Sequence, residues 1–360
     1  MRVWIAGGGT GGHVYPGLAV VQALRAAGES DITYVGGQGG IEAELAEREG
    51  LRFFGIPAGG LHGVAPRRAA QNLIKMVQGC GAAFRLGRRE RPSALFATGG
   101  YASVPVALAA WVLQVPILVY LPDIEPGLAV RFIARLATKV AVTVADSRRY
   151  FAARKVVVTG YPVRSEFGDI NRREARESLG LSQGEPVLLV MGGSRGARSI
   201  NRVLGGILEQ VLSMAQVIHI SGDLDWSWAS ERRADLPDTL RSRYHAFPYL
   251  HEMGQALAAA ELVVCRAGAS TLGELPIFGL PSVLVPYPFA WRYQRINAEW
   301  LTDRGAAVML TDDRMEAELL PTLRQLFADR GRLAKMGEQA RALSRPDAAA
   351  QLARHLLALG

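Results

Sequence analysis

The chain has 360 residues, of which 49% are hydrophobic and 21% are charged, and its formal net charge is +8. This length exceeds what a single hydrophobic core usually organises, so we expect about two domains, and the composition excludes a largely disordered chain. No stretch reaches the roughly 18 apolar residues that span a bilayer, and the first residues lead directly into a strand, so a location on the cytoplasmic side is expected. Two cysteines, Cys80 and Cys265, indicate neither a disulfide framework nor a zinc site.

The positive charge comes almost entirely from arginine. Such a charge attracts nucleic acid, anionic lipid and phosphorylated substrates equally well. The sequence contains no recognisable module for binding RNA or DNA, so nucleic acid is not an expected partner.

Apolar segments typical of buried strands alternate with segments of helical periodicity along the whole chain. The first series of predicted strands is Arg2–Ala6, Ile32–Gly36, Phe53–Pro57, Ala94–Thr98, Pro116–Leu121 and Val140–Val144. The second series is Val187–Met191, Val217–Ser221, Tyr244–Phe247, Leu262–Cys265, Ser282–Pro286 and Ala307–Thr311. This alternation predicts an α/β protein with two Rossmann-like domains, each built on a parallel sheet.

The predicted domains are residues 1–163 and 164–345. The polar stretch from Ser165 to Glu185 is expected to contain the linker and the first helix of the second domain. A last helix near Asp347–Leu357 is predicted to return to the first domain, which would add residues 346–360 to it.

Two glycine-rich turns each follow a strand and precede a helix, at Gly7–His13 and Gly192–Ala197. Glycine lets a ligand approach the backbone closely, and the free N–H groups of a helix N-terminus favour bound anions. Two such turns predict an enzyme that brings two phosphorylated molecules together across a cleft.

The first turn also matches the dinucleotide fingerprint through Gly7, Gly9 and Gly12. That fingerprint requires an acidic residue at the end of the second strand, to bind the ribose hydroxyls. Here the strand ends in Gly36-Gly37, and Asp31 lies at its beginning. A nicotinamide-dependent dehydrogenase or a nucleotide-dependent epimerase is therefore the weaker interpretation.

The segment Gly7–Val20 closely resembles the opening of the MurG family of bacterial N-acetylglucosaminyltransferases, which convert lipid I to lipid II. Further matches follow in order: Thr98–Tyr101, Gly160–Arg164, Gly192–Asn201, Cys265–Glu274, Gly279–Pro281, Gln294 and Asn297-Ala298. The resemblance implies the two-domain GT-B fold and metal-independent, inverting transfer of N-acetylglucosamine from UDP-N-acetylglucosamine to a polyprenyl-pyrophosphate-linked acceptor, with no cofactor.

The resemblance assigns donor binding to the second domain, including Arg164 at its start. Physical reasoning supports it, because a departing diphosphate needs N–H groups, hydroxyls and cations, and a carboxylate can bind both ribose hydroxyls. Glu274 is the carboxylate expected to bind the ribose hydroxyls. Without the surrounding motif, the same residue would be interpreted as a solvated charge on a helix. The expected donor-binding residues are Arg164, Gly193, Ser194, Arg195, Gly196, Tyr249, Leu250, Arg266, Gly268, Ala269, Ser270, Thr271, Glu274 and Gln294.

His13, at the end of the first glycine turn, is the candidate catalytic residue. A histidine is suited to accept the proton of the acceptor hydroxyl near pH 7. It can also bind the acceptor diphosphate, or simply cap the helix. The expected acceptor-binding residues are Thr10, Gly11, Gly12, Gly99, Gly100, Tyr101 and Asp123.

The chain departs from the family pattern at two places. Where the family usually has His-Glu-Gln-Asn before its Gly-Leu, this chain has Tyr120-Leu121-Pro122-Asp123-Ile124-Glu125-Pro126-Gly127-Leu128. These positions are expected to face the cleft on the acceptor side, so the departure leaves open which acceptor binds and how it binds. Asp123 is expected to keep a polar role on the acceptor side, and Glu125 is an alternative base. Trp291 and Tyr293 replace an acidic residue and a His or Gln, which leaves the donor sugar less certain than the nucleotide.

Asp223-Leu224-Asp225 has the Asp-x-Asp form that holds a divalent metal in many sugar transferases. Such triplets recur by chance in surface turns, so we interpret it as unrelated to metal binding. The remaining histidines, at 62, 219, 245, 251 and 355, lack paired ligand spacing and are expected at the surface or in structural roles.

Residues 66–91 mix apolar side chains with cations, as an interfacial membrane contact requires. An ordinary amphipathic helix packed on the sheet would show the same pattern. The family's polyprenyl acceptor favours peripheral binding to the inner face of the cell membrane. Alternatives to lipid I glycosylation are a related transferase for another lipid or a polysaccharide precursor, and a non-catalytic UDP-sugar sensor.

Overall fold

The structure is a computed structural model that describes residues 1–9, 11–60, 64–193, 196–289 and 292–360. The predicted site residues Thr10, Ser194 and Arg195, and the departure at Trp291, lie outside the described residues. The chain divides into two compact units, of which the first contains Met1–Ser165 and Arg345–Gly360, and the second contains Glu166–Ser344.

The first unit is built on a parallel sheet covered by helices. Its described strands are β1 (Val3–Gly7), β2 (Ile32–Gly37), β3 (Arg52–Ile56), β4 (Ala94–Gly99), β5 (Ile117–Leu121), β6 (Lys139–Val142) and β7 (Val156–Val158). Its helices before the second unit are α1 (Gly11–Ala26), α2 (Ile41–Arg48), α3 (Pro66–Glu90), α4 (Ser103–Val112) and α5 (Leu128–Leu136).

The second unit repeats this architecture. Its described strands are β8 (Val187–Met191), β9 (Gln216–Ile220), β10 (Tyr244–Phe247), β11 (Leu262–Cys265), β12 (Ser282–Leu284) and β13 (Ala307–Met309). Its helices are α6 (Arg172–Ser178), α7 (Arg198–Leu212), α8 (Trp226–Asp235), α9 (Asp238–Arg241), α10 (Met253–Ala259), α11 (Glu274–Phe278), α12 (Tyr293–Asp303), α13 (Met315–Ala328) and α14 (Arg330–Ala342).

The strands read as continuous apolar segments because helices cover both faces of each sheet. Along β1, Val3 and Ile5 pack in one hydrophobic cluster, whereas Trp4 and Ala6 pack in another on the opposite face. All four are fully buried. This pattern confirms the predicted α/β fold with two parallel sheets.

Each of the twelve predicted strands overlaps a strand in the structure. The described residues contain one further strand that was not predicted from the sequence. This is β7, three valines that pair only with β6 at the edge of the sheet. Because β7 is short and only partly buried, its apolar segment is weak as a sequence signal.

The chain ends in helix α15 (Ala348–Leu357), which belongs to the first unit. Leu352, Ala353 and Leu356 are buried in the same hydrophobic cluster as Val3 and Ile5 of β1. The helix therefore covers one face of the first sheet by burying its own apolar side.

The strand order places a switch point in the middle of each sheet. The orders are β3-β2-β1-β4-β5-β6-β7 and β10-β9-β8-β11-β12-β13. In open parallel sheets, ligands bind outside the carboxyl ends of the strands where the order reverses. The expected sites therefore follow β1 and β4 in the first unit, and β8 and β11 in the second.

Among the described residues, no helix combines the length and the apolar character needed to cross a bilayer.

Candidate functional site

The first two glycine loops lie side by side at the switch point of the first sheet. Gly7 at the end of β1 pairs with Gly99 at the end of β4, after a register shift that marks a bulge. A Cβ atom on Gly100, whose φ is +78°, would overlap the carbonyl oxygen of Gly8. The structure thus brings together two motifs that are about 90 residues apart.

His13 lies between these two loops. Its Nδ1 atom is 2.9 Å from the carbonyl oxygen of Thr98, and the Thr98 hydroxyl donates to the His13 carbonyl oxygen at 2.5 Å. Because a carbonyl only accepts hydrogen bonds, Nδ1 carries the proton. In the neutral ring Nε2 is then unprotonated, which is the form that a general base requires.

Tyr101, another predicted acceptor-site residue, lies next to the first glycine loop. Tyr101 packs over Gly9, where a Cβ would lie 3.0 Å from Cε1 of the ring, and the ring is 37% exposed. Partial burial, with a smaller effect of the Glu42 carboxyl, raises the pKa of Tyr101, so its phenol remains a donor. Gly11 and Gly12 begin α1, where free backbone N–H groups point outward.

Glu42 also belongs to this region, although it was not predicted as a site residue from the sequence. Although it belongs to helix α2, its side chain is fully buried. Its carboxyl accepts hydrogen bonds from the backbone N–H groups of Gly37 at 2.9 Å and Gly9 at 3.4 Å. The signal in the sequence is an acidic residue preceded by Gly36, Gly37, Gly39 and Gly40.

The segment that departs from the family pattern is largely internal, which corrects the expectation that it faces the acceptor. Tyr120 and Leu121 are buried in β5, and the Tyr120 hydroxyl contacts Thr143 Oγ1 at 2.7 Å. Glu125 is also buried and forms an ion pair of 3.0 Å with Arg131. The Glu125 carboxyl is therefore engaged within the first unit by Arg131.

Asp123 differs from these neighbours because it is only partly buried. It follows the carboxyl end of β5, which adjoins β4 in the sheet. Asp123 is thus the polar side chain of this segment that remains accessible near the second glycine loop.

In the second unit, the third glycine loop follows β8, and its described glycines serve different purposes. Gly196 has φ +76°, and a Cβ there would overlap the carbonyl oxygen of Ser221. A Cβ on Gly193 would meet no atom within 4 Å. Gly196 is thus required by the packing of the loop, whereas Gly193 presents an open backbone surface.

Polar residues next to the third glycine loop form a largely buried hydrogen-bonded network. His219 Nε2 lies 3.0 Å from Asn201 Oδ1, and His219 Nδ1 lies 2.6 Å from the Tyr244 hydroxyl. Asn201 in turn donates to Asp225 at 2.8 Å, and Arg198 pairs with Asp225 at 2.9 Å. Burial lowers the pKa of His219 to about 4, so its ring is neutral in this network.

This network also accounts for the Asp-x-Asp triplet. Asp225 fixes the start of α7 through Asn201 and Arg198, which gives it a structural role. Among the described residues, no group of three or more histidine, cysteine, aspartate or glutamate side chains is arranged to hold a metal ion.

The segment after β11 follows the strand that adjoins β8 in the second sheet. Gly268 is open, because a Cβ there would meet no atom within 4 Å, and the Thr271 hydroxyl donates to its carbonyl oxygen at 2.6 Å. Ala269 is buried and Ser270 is partly exposed. Glu274 begins α11 and is only partly buried, as a carboxylate that contacts a ligand must be.

Arg266, which was predicted to bind the donor, already has several partners within the second unit. Its guanidinium forms an ion pair with Asp312, donates to Ser199 Oγ at 2.6 Å and lies 5.2 Å from the centre of the Tyr287 ring. These contacts connect β11 to the start of α7. Arg266 therefore braces the third glycine loop and the segment after β11 against each other.

The remaining predicted donor residues follow the carboxyl ends of neighbouring strands. Tyr249 and Leu250 come after β10, and Tyr249 is 43% exposed. Its ring packs edge-to-face with His251, with the two ring centroids 4.8 Å apart. Gln294 in α12 accepts a hydrogen bond of 2.8 Å from the backbone of Tyr287, which leaves its amide nitrogen as a donor. Arg164, which was predicted to begin the second domain, belongs to the first unit.

A groove of about 780 Å³ lies elsewhere on the second unit. Its lining includes Glu261 and Pro281, which precede β11 and β12, and none of the predicted site residues. It therefore lies at the amino-terminal end of the strands, away from the loops described above.

Two Rossmann-like units, each with glycine-rich loops at the switch point of its sheet, have the architecture of the GT-B fold. Sequence models of the N-terminal and C-terminal domains of glycosyltransferase family 28 match residues 3–142 and 187–352, respectively. The chain belongs to glycosyltransferase family 28.

Curated relatives match along nearly their whole length. A protein of Roseiflexus sp. is 43% identical, with 98% of this chain and 94% of the relative covered, and one of Chlorobaculum tepidum is 40% identical, with 100% and 99% covered. Both are named UDP-N-acetylglucosamine–N-acetylmuramyl-(pentapeptide) pyrophosphoryl-undecaprenol N-acetylglucosamine transferase.

Solved structures give the same fold. The crystal structure of Acinetobacter baumannii MurG has a TM-score of 0.77 and 26% identity, covering 99% of this chain and 100% of that one. A UDP-GlcNAc 2-epimerase from Neisseria meningitidis, with a TM-score of 0.69 and 13% identity, covers 99% of this chain and all of its own, and shares the fold alone.

Proposed function

We propose that this chain transfers N-acetylglucosamine from UDP-N-acetylglucosamine to undecaprenyl-pyrophosphoryl-N-acetylmuramyl-pentapeptide, and thereby forms lipid II for peptidoglycan. The observation that carries the proposal is the likeness, over nearly the whole chain, to relatives named for this reaction. The paired loops of each unit supply the two phosphate-binding regions that such a reaction needs.

The donor binds to the second unit in this proposal. The open backbone at Gly193 and Gly268 contacts the diphosphate, together with Ser194, Arg195 and the N-terminus of α7. Glu274 accepts hydrogen bonds from the ribose hydroxyls, Tyr249 and Leu250 hold the uracil, and Gln294 meets the sugar hydroxyls. N–H groups and cations stabilise the charge that grows on the leaving diphosphate, without a metal ion.

The acceptor binds to the first unit, at the two loops around His13. Gly11, Gly12, Gly99 and Gly100 contact its pyrophosphate, and Tyr101 and Asp123 complete the polar surface. Nε2 of His13 removes the proton from the acceptor hydroxyl. The new carbon–oxygen bond forms on the face opposite UDP, the bond to UDP breaks, and UDP leaves with the electron pair, so the configuration at the sugar carbon inverts.

Helix α3 attaches the protein to the inner face of the cell membrane. Leu73, Ile74 and Val77 are 55%, 59% and 66% exposed along one side of the helix. Its exposed cations are Arg67, Arg68, Lys75, Arg85, Arg88 and Arg89. Apolar side chains that enter the acyl boundary beside cations that meet anionic head groups produce a peripheral membrane contact.

The neighbouring helix α4 also exposes apolar side chains. It packs against α3 and exposes Trp111 and Val112, at 54% and 58%. A tryptophan suits the membrane–water interface because its ring is large and amphipathic. This surface gives the enzyme access to an acceptor whose polyprenyl chain stays in the bilayer.

The test is incubation of the protein with labelled UDP-N-acetylglucosamine and a lipid I analogue in EDTA. Labelled disaccharide product is expected, since no step requires a divalent ion. Transfer to another lipid or a polysaccharide precursor, but not to lipid I, would assign a related transferase. Tight UDP binding without transfer to any acceptor would indicate a sensor, and release of free sugar without an acceptor would indicate an epimerase-like activity.

A further inference from the structure

Glu42 occupies the space that three glycines leave open. A Cβ on Gly8 or on Gly40 would overlap its carboxyl group, and a Cβ on Gly36 would lie 2.6 Å from its Cγ. These glycines come from the loop after β1 and from the segment between β2 and α2. Part of the glycine content of this region therefore accommodates a side chain rather than a ligand.

The carboxyl group also connects the two segments by hydrogen bonds. It accepts the N–H of Gly37 at 2.9 Å on one side and that of Gly9 at 3.4 Å on the other. Burying a carboxyl without hydrogen-bond donors is costly, so these backbone amides are held in place by the same interaction that stabilises Glu42.

Contacts continue from Glu42 to the residues proposed to act on the acceptor. Gly8 is confined between Glu42 and Gly100, because a Cβ on Gly100 would overlap the Gly8 carbonyl oxygen. Gly99, next to Gly100, packs on His13, where a Cβ would lie 3.3 Å from Nδ1 and from Cε1 of the ring. Gly9 on the other side lies under the Tyr101 ring.

We propose that Glu42 is a positioning residue for transfer to the acceptor, which fixes the first glycine loop and, through it, the places of His13 and Tyr101. This inference rests on the proposed function. Glu42 does not touch the reacting atoms, because its side chain is buried beneath the loop. By fixing the backbone of the first glycine loop, Glu42 keeps that loop at a constant distance from the bound acceptor.

The test compares Glu42→Gln and Glu42→Ala with wild type in steady-state transfer assays. Each substrate, a lipid I analogue and UDP-N-acetylglucosamine, is varied in turn. Glu44→Gln is the matched control, because Glu44 lies on the same helix but is exposed and pairs with Arg48 at 2.5 Å. UDP binding by calorimetry and the thermal unfolding midpoint are measured for each variant.

For Glu42→Ala we expect kcat/KM for the acceptor to fall by about 100-fold, as displacement of a site by about 1 Å can produce. Glu42→Gln keeps the shape and one acceptor oxygen, so it should recover part of this loss. UDP affinity and the KM for the donor should stay within about twofold of wild type, because the donor contacts lie in the second unit.

Several results would overturn the inference. They are an acceptor kcat/KM of folded Glu42→Gln and Glu42→Ala within twofold of wild type, a loss of UDP affinity or a rise in donor KM as large as the loss in acceptor kcat/KM, or failure of both variants to fold, which would make Glu42 a stability residue only. If Glu42→Ala alone fails to fold, Glu42→Gln decides. Absence of transfer by the wild type would instead reject the proposed function.

Discussion

His13 Nδ1 donates a hydrogen bond to the Thr98 carbonyl oxygen at 2.9 Å and thereby links the first glycine loop to the second. This bond fixes which ring nitrogen carries the proton. The same bond orients the ring, and Gly99 lies directly beside it, since a Cβ there would be 3.3 Å from Nδ1 and from Cε1. A base held in one tautomer and one orientation loses little entropy when it removes a proton.

Replacement of His13 by Ala should lower the turnover number by about 10²- to 10⁴-fold, the usual contribution of a general base. UDP affinity should be unchanged, since His13 belongs to the first unit. Stopped transfer assays and calorimetry with UDP measure the two quantities. Near-normal turnover would remove His13 from the mechanism, and a raised acceptor KM with normal turnover would identify it as an acceptor-phosphate ligand.

Glu274→Ala should weaken donor binding by about 10- to 100-fold, because a charge-assisted hydrogen bond contributes about 1.5–3 kcal/mol. Turnover at saturating donor should fall much less. The control is Glu299→Ala, since Glu299 is a partly exposed carboxylate of the same unit that pairs with Arg295. If both variants bind UDP as wild type does, the ribose contact has been misassigned.

Two glycines of the third loop should respond differently to alanine. Gly196→Ala should lower the unfolding midpoint, because Gly196 has a positive φ and its Cβ would overlap Ser221. Gly193→Ala should fold normally, since its Cβ meets no atom, but should raise the KM for UDP-N-acetylglucosamine several-fold by blocking the diphosphate. Normal donor kinetics for Gly193→Ala would argue against a diphosphate at that position.

The apolar face of α3 can be tested by vesicle sedimentation. Ile74→Glu combined with Val77→Glu should reduce binding to anionic phospholipid vesicles by about tenfold or more, through lost apolar burial and charge repulsion. Leu224→Glu is the control, because Leu224 is 72% exposed in the second unit. Equal effects of both variants would indicate that α3 has no special role at the membrane.

Stability should depend on pH through His219. In the unfolded chain this histidine titrates near pH 6.5, whereas burial lowers its pKa in the folded protein to about 4. The unfolded state therefore binds more protons between these values, so its contribution, about 3 kcal/mol, is complete above pH 6.5 and is lost as the pH falls toward 4.

The measurement is the thermal unfolding midpoint of the protein between pH 7 and pH 4, compared with His219→Gln. The variant should lose part of the pH dependence of the midpoint, whereas His251→Gln should keep it, because His251 is exposed. Parallel curves for wild type and His219→Gln would show that His219 does not titrate on unfolding.

The sequence by itself determined the repeated strand–helix alternation, and with it two parallel sheets. Buried strands and amphipathic helices are local patterns, and Val187–Met191 or Leu262–Cys265 can be recognised from their own residues. The glycine motifs were equally visible, because the backbone freedom they provide depends on residue type alone.

Only the tertiary structure decided which motifs meet and which charged side chains are already engaged. Strand order places the loop after β1 beside the loop after β4, although about 90 residues separate them. Long-range contacts also pair Asp225 with Asn201 and bury Glu42 beneath Gly8 and Gly9, whereas Glu125 pairs with the nearby Arg131. A residue's type fixes its chemistry, but burial and partners, which come from distant segments, fix whether that chemistry is available.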